Sequence, residues 1–265
     1  MIPFVKAQAC GNDFLIMEEG DAALKHAALA ERLCARHTGV GADGVEFLDR
    51  SSGYRLRLFN SDGTEAELSG NGTRCAAAWL AHSEGVRSVT FATHGGPRSC
   101  RLVEQRGVNY RIEGGMGVPR VMQRTIVLPG VGEVAGAMVN VGNPHFVLFA
   151  DTEDFGAHGR SWQELGRIIS MSPLFPHGTN VEFVRVRSGS EIEFRIYERG
   201  CGPTTSSGTG TCAASAAAMT LRGVLRELTA LAEGGRQEVV WPTAWAEMLL
   251  TGPAEIVCTG EAMIA

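Results

Sequence analysis

The sequence predicts an α+β fold of two pseudo-symmetric halves made by internal duplication, and three observations predict it. An alternating polar–apolar segment at residues 55–60 (RLRLFN) recurs at residues 193–198 (EFRIYE), each reading as a half-buried strand. Nine residues past Asn60 stands Ser69-Gly70-Asn71-Gly72-Thr73, and nine past Glu198 stands Ser207-Gly208-Thr209-Gly210-Thr211. Each is followed by Cys-Ala-Ala, at Cys75 and Cys212, and then by an alanine-rich run. Further pairs keep the order and nearly the spacing. Gly44-Val45-Glu46-Phe47 matches Asn180-Val181-Glu182-Phe183 at a shift of 136, and Gly11-Asn12-Asp13-Phe14 resembles Gly142-Asn143-Pro144-His145-Phe146 at 131, against 138 for the two serines. A period this long means duplicated domains, not a solenoid of short repeats.

The elements follow in order. The first residues, MIPFVKA, read as a strand and lack the long apolar region of a signal peptide. Residues 21–36 read as a helix, with Asp21 as N-cap and residues 37–39 as its stop. A second helix is expected to begin after Gly72 and run through Trp79. Strands and turns fill the rest to about Val118, and residues 114–119 (GGMGVP) form a plausible linker. The second half repeats the plan, with helices near residues 161–169 and 210–223. Residues 254–263 read as a strand returning to the first half. The expected division is therefore 1–118, completed by a strand at 254–265, and 119–253.

Composition narrows the function. The chain has 265 residues, 44% hydrophobic and 20% charged, which is ordinary for a globular protein with a real core. A net charge of −5 gives no electrostatic footprint for nucleic acid or an anionic membrane. No apolar run is long enough to span a bilayer. Seven scattered cysteines without a CxxC pair argue against a zinc ribbon and a disulfide framework, so no metal site is expected and a reducing cytoplasm is the simplest setting.

The Gly-rich segments carry the chemistry. Each lies at the mouth of an alanine-rich helix, where glycines let a ligand approach the backbone and the free N–H groups favour an anion. Such glycines can also serve only to pack two central helices closely. One segment alone would not decide between these uses; the matched pair favours a small carboxylate ligand. Neither is a Walker A or a complete GxGxxG motif, so a nucleotide cofactor is not supported.

Several motifs, in order over about the first 215 residues, carry a resemblance. They are GNDF at 11–14, RHTGVGADG at 36–44, FNSDGTE at 59–65, GNG at 70–72, GNPH at 142–145, YERG at 197–200 and GTG at 208–210. Together they resemble the signature set of the diaminopimelate epimerase family. The resemblance implies a cofactor-independent epimerase of LL- to meso-diaminopimelate, in which each half wraps a twisted sheet around a central helix and the site lies between the halves. It implies an amino dicarboxylate as the partner, no cofactor, and it admits a homodimer. Carried over by motif, Asn12, Asn60, Asn143 and Asn180 would bind the substrate's amino and carboxylate groups. Arg199 would pair with the distal carboxylate, for which a planar fork is suited. The backbone of Gly70, Asn71, Gly208 and Thr209 would hold the α-carboxylate. His145 and Glu198 would sit beside the two acid/base positions.

Those two positions are Ser69 and Ser207, where the family pattern has cysteine. A free thiol ionises near about 8.5 and its neighbours can tune it, whereas an alcohol lies close to water at about 15.7. The gap of about 7 units is worth about 10 kcal/mol at a spontaneously ionised base. A chain with both serines is therefore expected to epimerise weakly or not at all. Cys75 and Cys212 lie more than a helical turn away and read as packing residues, as do Cys10 and Cys201 beside site motifs. Pro203 stands where the family usually has glutamate. Two alternatives remain: an isomerase or dehydratase using His145 and Glu198 one-sidedly, and a non-catalytic binder of amino dicarboxylates. Fold alone does not choose among them.

Overall fold

In a computed structural model of the chain, described for residues 1–21, 26–66 and 69–263, Met1–Gly115 with Thr251–Ala265 form one compact unit and Met116–Leu250 a second. In the first unit β1 (Ile2–Ala9) and β2 (Asn12–Glu18) form a hairpin, followed by a 3-10 turn at Glu19–Asp21 and α1 (His26–Cys34). Then come β3 (Gly44–Asp49), β4 (Tyr54–Asn60), β5 (Glu65–Ala66), α2 (Gly70–Glu84), β6 (Ser88–Thr93), β7 (Gly96–Arg106) and β8 (Asn109–Gly115). Asp21, expected as the N-cap of the first helix, closes the 3-10 turn; residues 22–25, where the helix was expected to start, lie outside the described residues, and the described helix runs from His26 to Cys34 instead of to residue 36.

The second unit repeats the plan. Strands β9 (Arg120–Leu128), β10 (Gly132–Asn140) and β11 (Pro144–Phe149) precede α3 (Trp162–Ser170). They are followed by β12 (Asn180–Ser188), β13 (Glu191–Glu198), β14 (Gly202–Thr204), α4 (Gly208–Leu221), β15 (Glu227–Ala232) and β16 (Gly235–Val240). The last strand, β17 (Leu249–Ala262), pairs antiparallel with β1 and also with β8.

Each unit contains the same crossover pair. In the first, β2 pairs parallel with β3 across α1, β3 pairs antiparallel with β4, and β4 pairs parallel with β6 across α2. In the second, β11 pairs parallel with β12 across α3, β12 antiparallel with β13, and β13 parallel with β15 across α4. β2, β3, β11 and β12 are covered on both faces, which is why they read as nearly unbroken apolar runs, while β4 and β13 keep the alternation of half-buried strands. Phe14, Ile16 and Leu58 pack toward α2, while Leu15, Met17 and Phe47 pack toward α1. Val147, Phe194 and Ile196 pack toward α4, while Phe146, Leu148 and Phe183 pack toward α3. The two central helices are buried nearly all round, and alanine suits that place because a small side chain lets strands approach from every side.

Both central helices start earlier than the sequence predicted, α2 at Gly70 instead of after Gly72 and α4 at Gly208 instead of about Gly210. The cause is capping. Ser69 has extended backbone (φ −124°, ψ 121°) and its hydroxyl accepts from the Gly72 N–H at 3.0 Å. Ser207 does the same (φ −145°, ψ 130°), accepting from Gly210 at 3.3 Å. The Gly-x-Gly residues are thus the first helical turn, not a loop before it.

Candidate active site

The first turns of α2 and α4 are built alike. With the third N–H of each helix taken by serine, the amides of Gly70 and Asn71, and of Gly208 and Thr209, are the donors that capping leaves for an anion. Thr73 and Thr211 lock the serines from below, each Oγ1 donating to the serine carbonyl at 2.7 Å. Ser69 Oγ meets only the Gly72 N–H among the described residues; Ser207 Oγ meets the Gly210 N–H and, at 3.5 Å, Thr209 Oγ1.

In the first unit Asn12, Asn71 and Arg74 form a chain. Asn12 Nδ2 donates to Asp43 Oδ2 at 2.6 Å, and Asn71 Nδ2 donates to Asn12 Oδ1 at 3.2 Å. The buried Arg74 guanidinium donates to Asn71 Oδ1 at 2.6 Å and to the Gly70 carbonyl at 3.2 Å. Asp43 is held in turn by Arg36 at 2.7 Å, and Arg36 also reaches Asp13, which pairs with Lys6 at 2.9 Å. Burial raises the Asp13 carboxyl, but Lys6 and Arg36 outweigh it and leave it below the usual aspartate range. Asn60 is exposed at the end of β4, where its amide donates to Thr64 Oγ1 at 2.9 Å.

In the second unit His145 is fully enclosed. Its Nδ1 lies 2.6 Å from Glu182 Oε1 and its Nε2 lies 2.8 Å from Asn143 Oδ1. The ring is thus held from both sides, by Glu182 and by Asn143. Asn143 Nδ2 continues to Thr209 Oγ1 at 3.4 Å. Burial raises the Glu182 carboxyl; His145 opposes that shift and Glu198 adds to it. Glu198 accepts from Thr204 Oγ1 at 2.6 Å. Asn180 accepts the Arg199 N–H at 2.9 Å and donates to the Pro144 carbonyl at 3.3 Å, so it fixes the Glu198–Arg199 corner. The Arg199 guanidinium donates to the His177 carbonyl at 3.2 Å.

The structure thus gathers Asn12, Gly70 and Asn71 about the start of α2, and Asn143, His145, Gly208 and Thr209 about the start of α4. Sequence reasoning missed three of the groups that hold them, Arg36, Asp43 and Glu182, and with the last its buried counterpart Glu46, whose Oε1 has no partner among the described residues. The signal for the last two was visible as the repeated Val-Glu-Phe, a glutamate inside an apolar strand in each half. The cysteines next along the helices, Cys75 and Cys212, are buried in the helix cores, and burial pushes the Cys75 thiol far above its usual range.

The family model for diaminopimelate epimerase matches residues 4–121 and 137–257. The chain belongs to the diaminopimelate epimerase family. A diaminopimelate epimerase of Elusimicrobium minutum is 35% identical over 97% of this chain and 98% of its own length, and that of Synechocystis sp. is 34% identical over 99% of both. Among solved structures, a phenazine biosynthesis protein of the PhzF family from Bacillus anthracis shares the fold at a TM-score of 0.74 and 16% identity, covering 100% of this chain and 99% of that one. A probable proline racemase from Agrobacterium radiobacter matches at 0.73 and 16%, over 98% and 92%. These likenesses establish for this family member the α+β architecture that the sequence predicted.

Proposed function

We propose that this member of the diaminopimelate epimerase family binds an amino dicarboxylate of the diaminopimelate type and, with serine at both acid/base positions, inverts it weakly or not at all. The observation that carries the reading is the state of the two hydroxyls. Each serves as a helix cap, and the hydrogen bonds seen at each hydroxyl among the described residues of its own unit go to backbone amides and, at Ser207, to Thr209. A serine becomes a strong base or nucleophile only when a neighbour accepts its proton. The binding groups support the other half of the reading. Two sets of uncommitted helix N-terminal amides suit carboxylate oxygens, and Asn12, Asn143 and Arg199 supply the remaining polar groups. His145 has both ring nitrogens engaged, which favours a positioning role over one-sided proton transfer.

The experiment is incubation with LL-diaminopimelate in D₂O while the α-proton signal is followed, with binding measured in parallel. Binding without appreciable exchange is the expected result. Rapid exchange with inversion would overturn the claim that serine disables the site. Absence of binding would overturn the ligand assignment. The variant carrying Ser69→Cys with Ser207→Cys is expected to gain exchange, and if it stays inert the epimerase ancestry of the site does not extend to its present residues.

A further inference from the structure

Glu46 has no part in the reading above, yet it is the least explained charged group in the first unit. Its side chain is 1% exposed and its Oε1 has no hydrogen-bond partner among the described residues. It lies against the first turn of α2: a Cβ on Gly72 would overlap Oε1 and would come within 3.0 Å of the carboxyl carbon. The second unit holds the matched group, since Glu182 Oε1 would lie 3.1 Å from a Cβ on Gly210. The sheet registers show what differs. Glu46 sits opposite Ile16 and Leu58, as Glu182 sits opposite Val147 and Ile196. Two residues before Ile16 is Phe14, paired with Gly44; two before Val147 is His145, paired with Asn180. Phe14 therefore occupies the place of His145, and Glu46 is the twin that lacks a histidine.

We propose that Glu46 is a positioning residue for the anion site at the start of α2: it must keep its proton for a carboxylate to bind there, so ligand binding at this unit takes up a proton. The proposal rests on the carboxylate reading of that helix start. The partial positive charge of a helix N-terminus is offered once. An ionised Glu46 against Gly72 would compete with a ligand carboxylate on Gly70 and Asn71, one residue away and out of water. Among the described residues, no hydrogen bond or ion pair reaches its Oε1. From β2 it meets Phe14 and Ile16, from β4 Leu58, and from α2 Gly72. The titratable groups nearby, which share an electrostatic environment through Cys75, are Arg74, Cys10 and Asp13. The Arg74 guanidinium is committed to Gly70, Asn71 and the Pro253 carbonyl, and Asp13 to Lys6 and Arg36. Burial alone pushes the Glu46 carboxyl up to about 8, where its ionisation can be followed.

The test is calorimetric titration of the wild type and Glu46→Gln with LL-diaminopimelate across pH 7 to 9, each in two buffers of different ionisation enthalpy. The ligand's own amino groups titrate equally with both proteins, so the difference between them isolates Glu46. With Glu46 titrating at about 8, wild-type affinity should fall about tenfold more than that of Glu46→Gln over this range, and at pH 8 the wild type should take up about half a proton more. If Glu46→Gln does not fold, Glu46→Met puts an apolar chain of similar length in the same pocket and serves as the comparison. A merely structural Glu46 would move affinity without moving its pH profile. Equal pH profiles and equal proton counts would overturn the proposal while leaving the binding reading intact. Failure of both proteins to bind at any pH would overturn the binding reading and the proposal with it.

Discussion

Replacing Glu46 by glutamine should flatten the pH dependence of stability. Glu46 is fully buried, and burial is the sole cause that raises its carboxyl from 4.5 to about 8. The folded protein therefore holds a proton that the unfolded chain releases between those values. For a group whose folded ionisation is raised in this way, stability is highest below the unfolded value and falls as pH rises toward the folded one. Over an interval of about 3.5 pH units, at about 1.4 kcal/mol per unit, the penalty approaches about 5 kcal/mol. Restricted to the range from about pH 5 to about pH 8, the wild type should lose about 3.5 kcal/mol that Glu46→Gln keeps. Urea unfolding of both proteins at the two pH values measures this, because every other titrating group cancels in the difference. The variant could be less stable at pH 5, where a neutral amide replaces a neutral acid, without affecting the argument. Parallel stability–pH curves for the two proteins would refute it, because they would mean that Glu46 is solvated or paired when it ionises.

The other expectations are local. Gly72→Ala should destabilise by about 1–3 kcal/mol, since its Cβ would meet the Glu46 carboxyl, and most of that cost should vanish in the Gly72→Ala, Glu46→Ala double variant when the four proteins are compared by thermal melting. His145→Phe should cost about 3–5 kcal/mol near neutral pH, because it leaves Glu182 buried without its partner, and the loss should shrink in acid as Glu182 is protonated. Denaturant curves at two pH values would show both effects; an unchanged midpoint at neutral pH would mean the His145–Glu182 contact contributes little.

Much of this was legible in the sequence, for reasons that can be named. The duplication showed because each unit needs the same strand, capped glycine turn and alanine helix to bury one central helix. The helix starts were misplaced because Gly-x-Gly looks like a loop until the serine before it is seen to cap. The pairing of Phe14 with His145 follows from the shift of 131 between GNDF and GNPHF, although the two phenylalanines of those motifs, Phe14 and Phe146, invite the other match. The ladder keeps the shift of 131, with Phe14 opposite Gly44 and His145 opposite Asn180, and it puts Phe146 on the α3 face. What the sequence does not show is which face of a covered strand each residue meets. For the same reason Glu46 and Glu182 registered only as repeat markers: their burial depends on which face of a covered strand each one lands on.

The serines connect the fold to the weak inversion proposed for this chain. A hydroxyl is among the better N-cap acceptors, while a thiol sulfur is a weak one. At Ser69 and Ser207 the acceptor holds the third N–H of the two helices on which each unit's core is built. The residue that serves inversion is thus the poorer cap, and the residue found here is the better one, the usual opposition between stability and a reactive site. Each Ser→Cys change should then lower stability by about 1 kcal/mol, within the range for loss of a cap. Melting temperatures of the two single variants and the double variant give this directly, beside α-proton exchange on the same samples. Cysteine variants as stable as the parent would mean the hydroxyl caps contribute nothing. A loss of stability accompanied by a gain of exchange would show that the same two atoms had been doing either one job or the other.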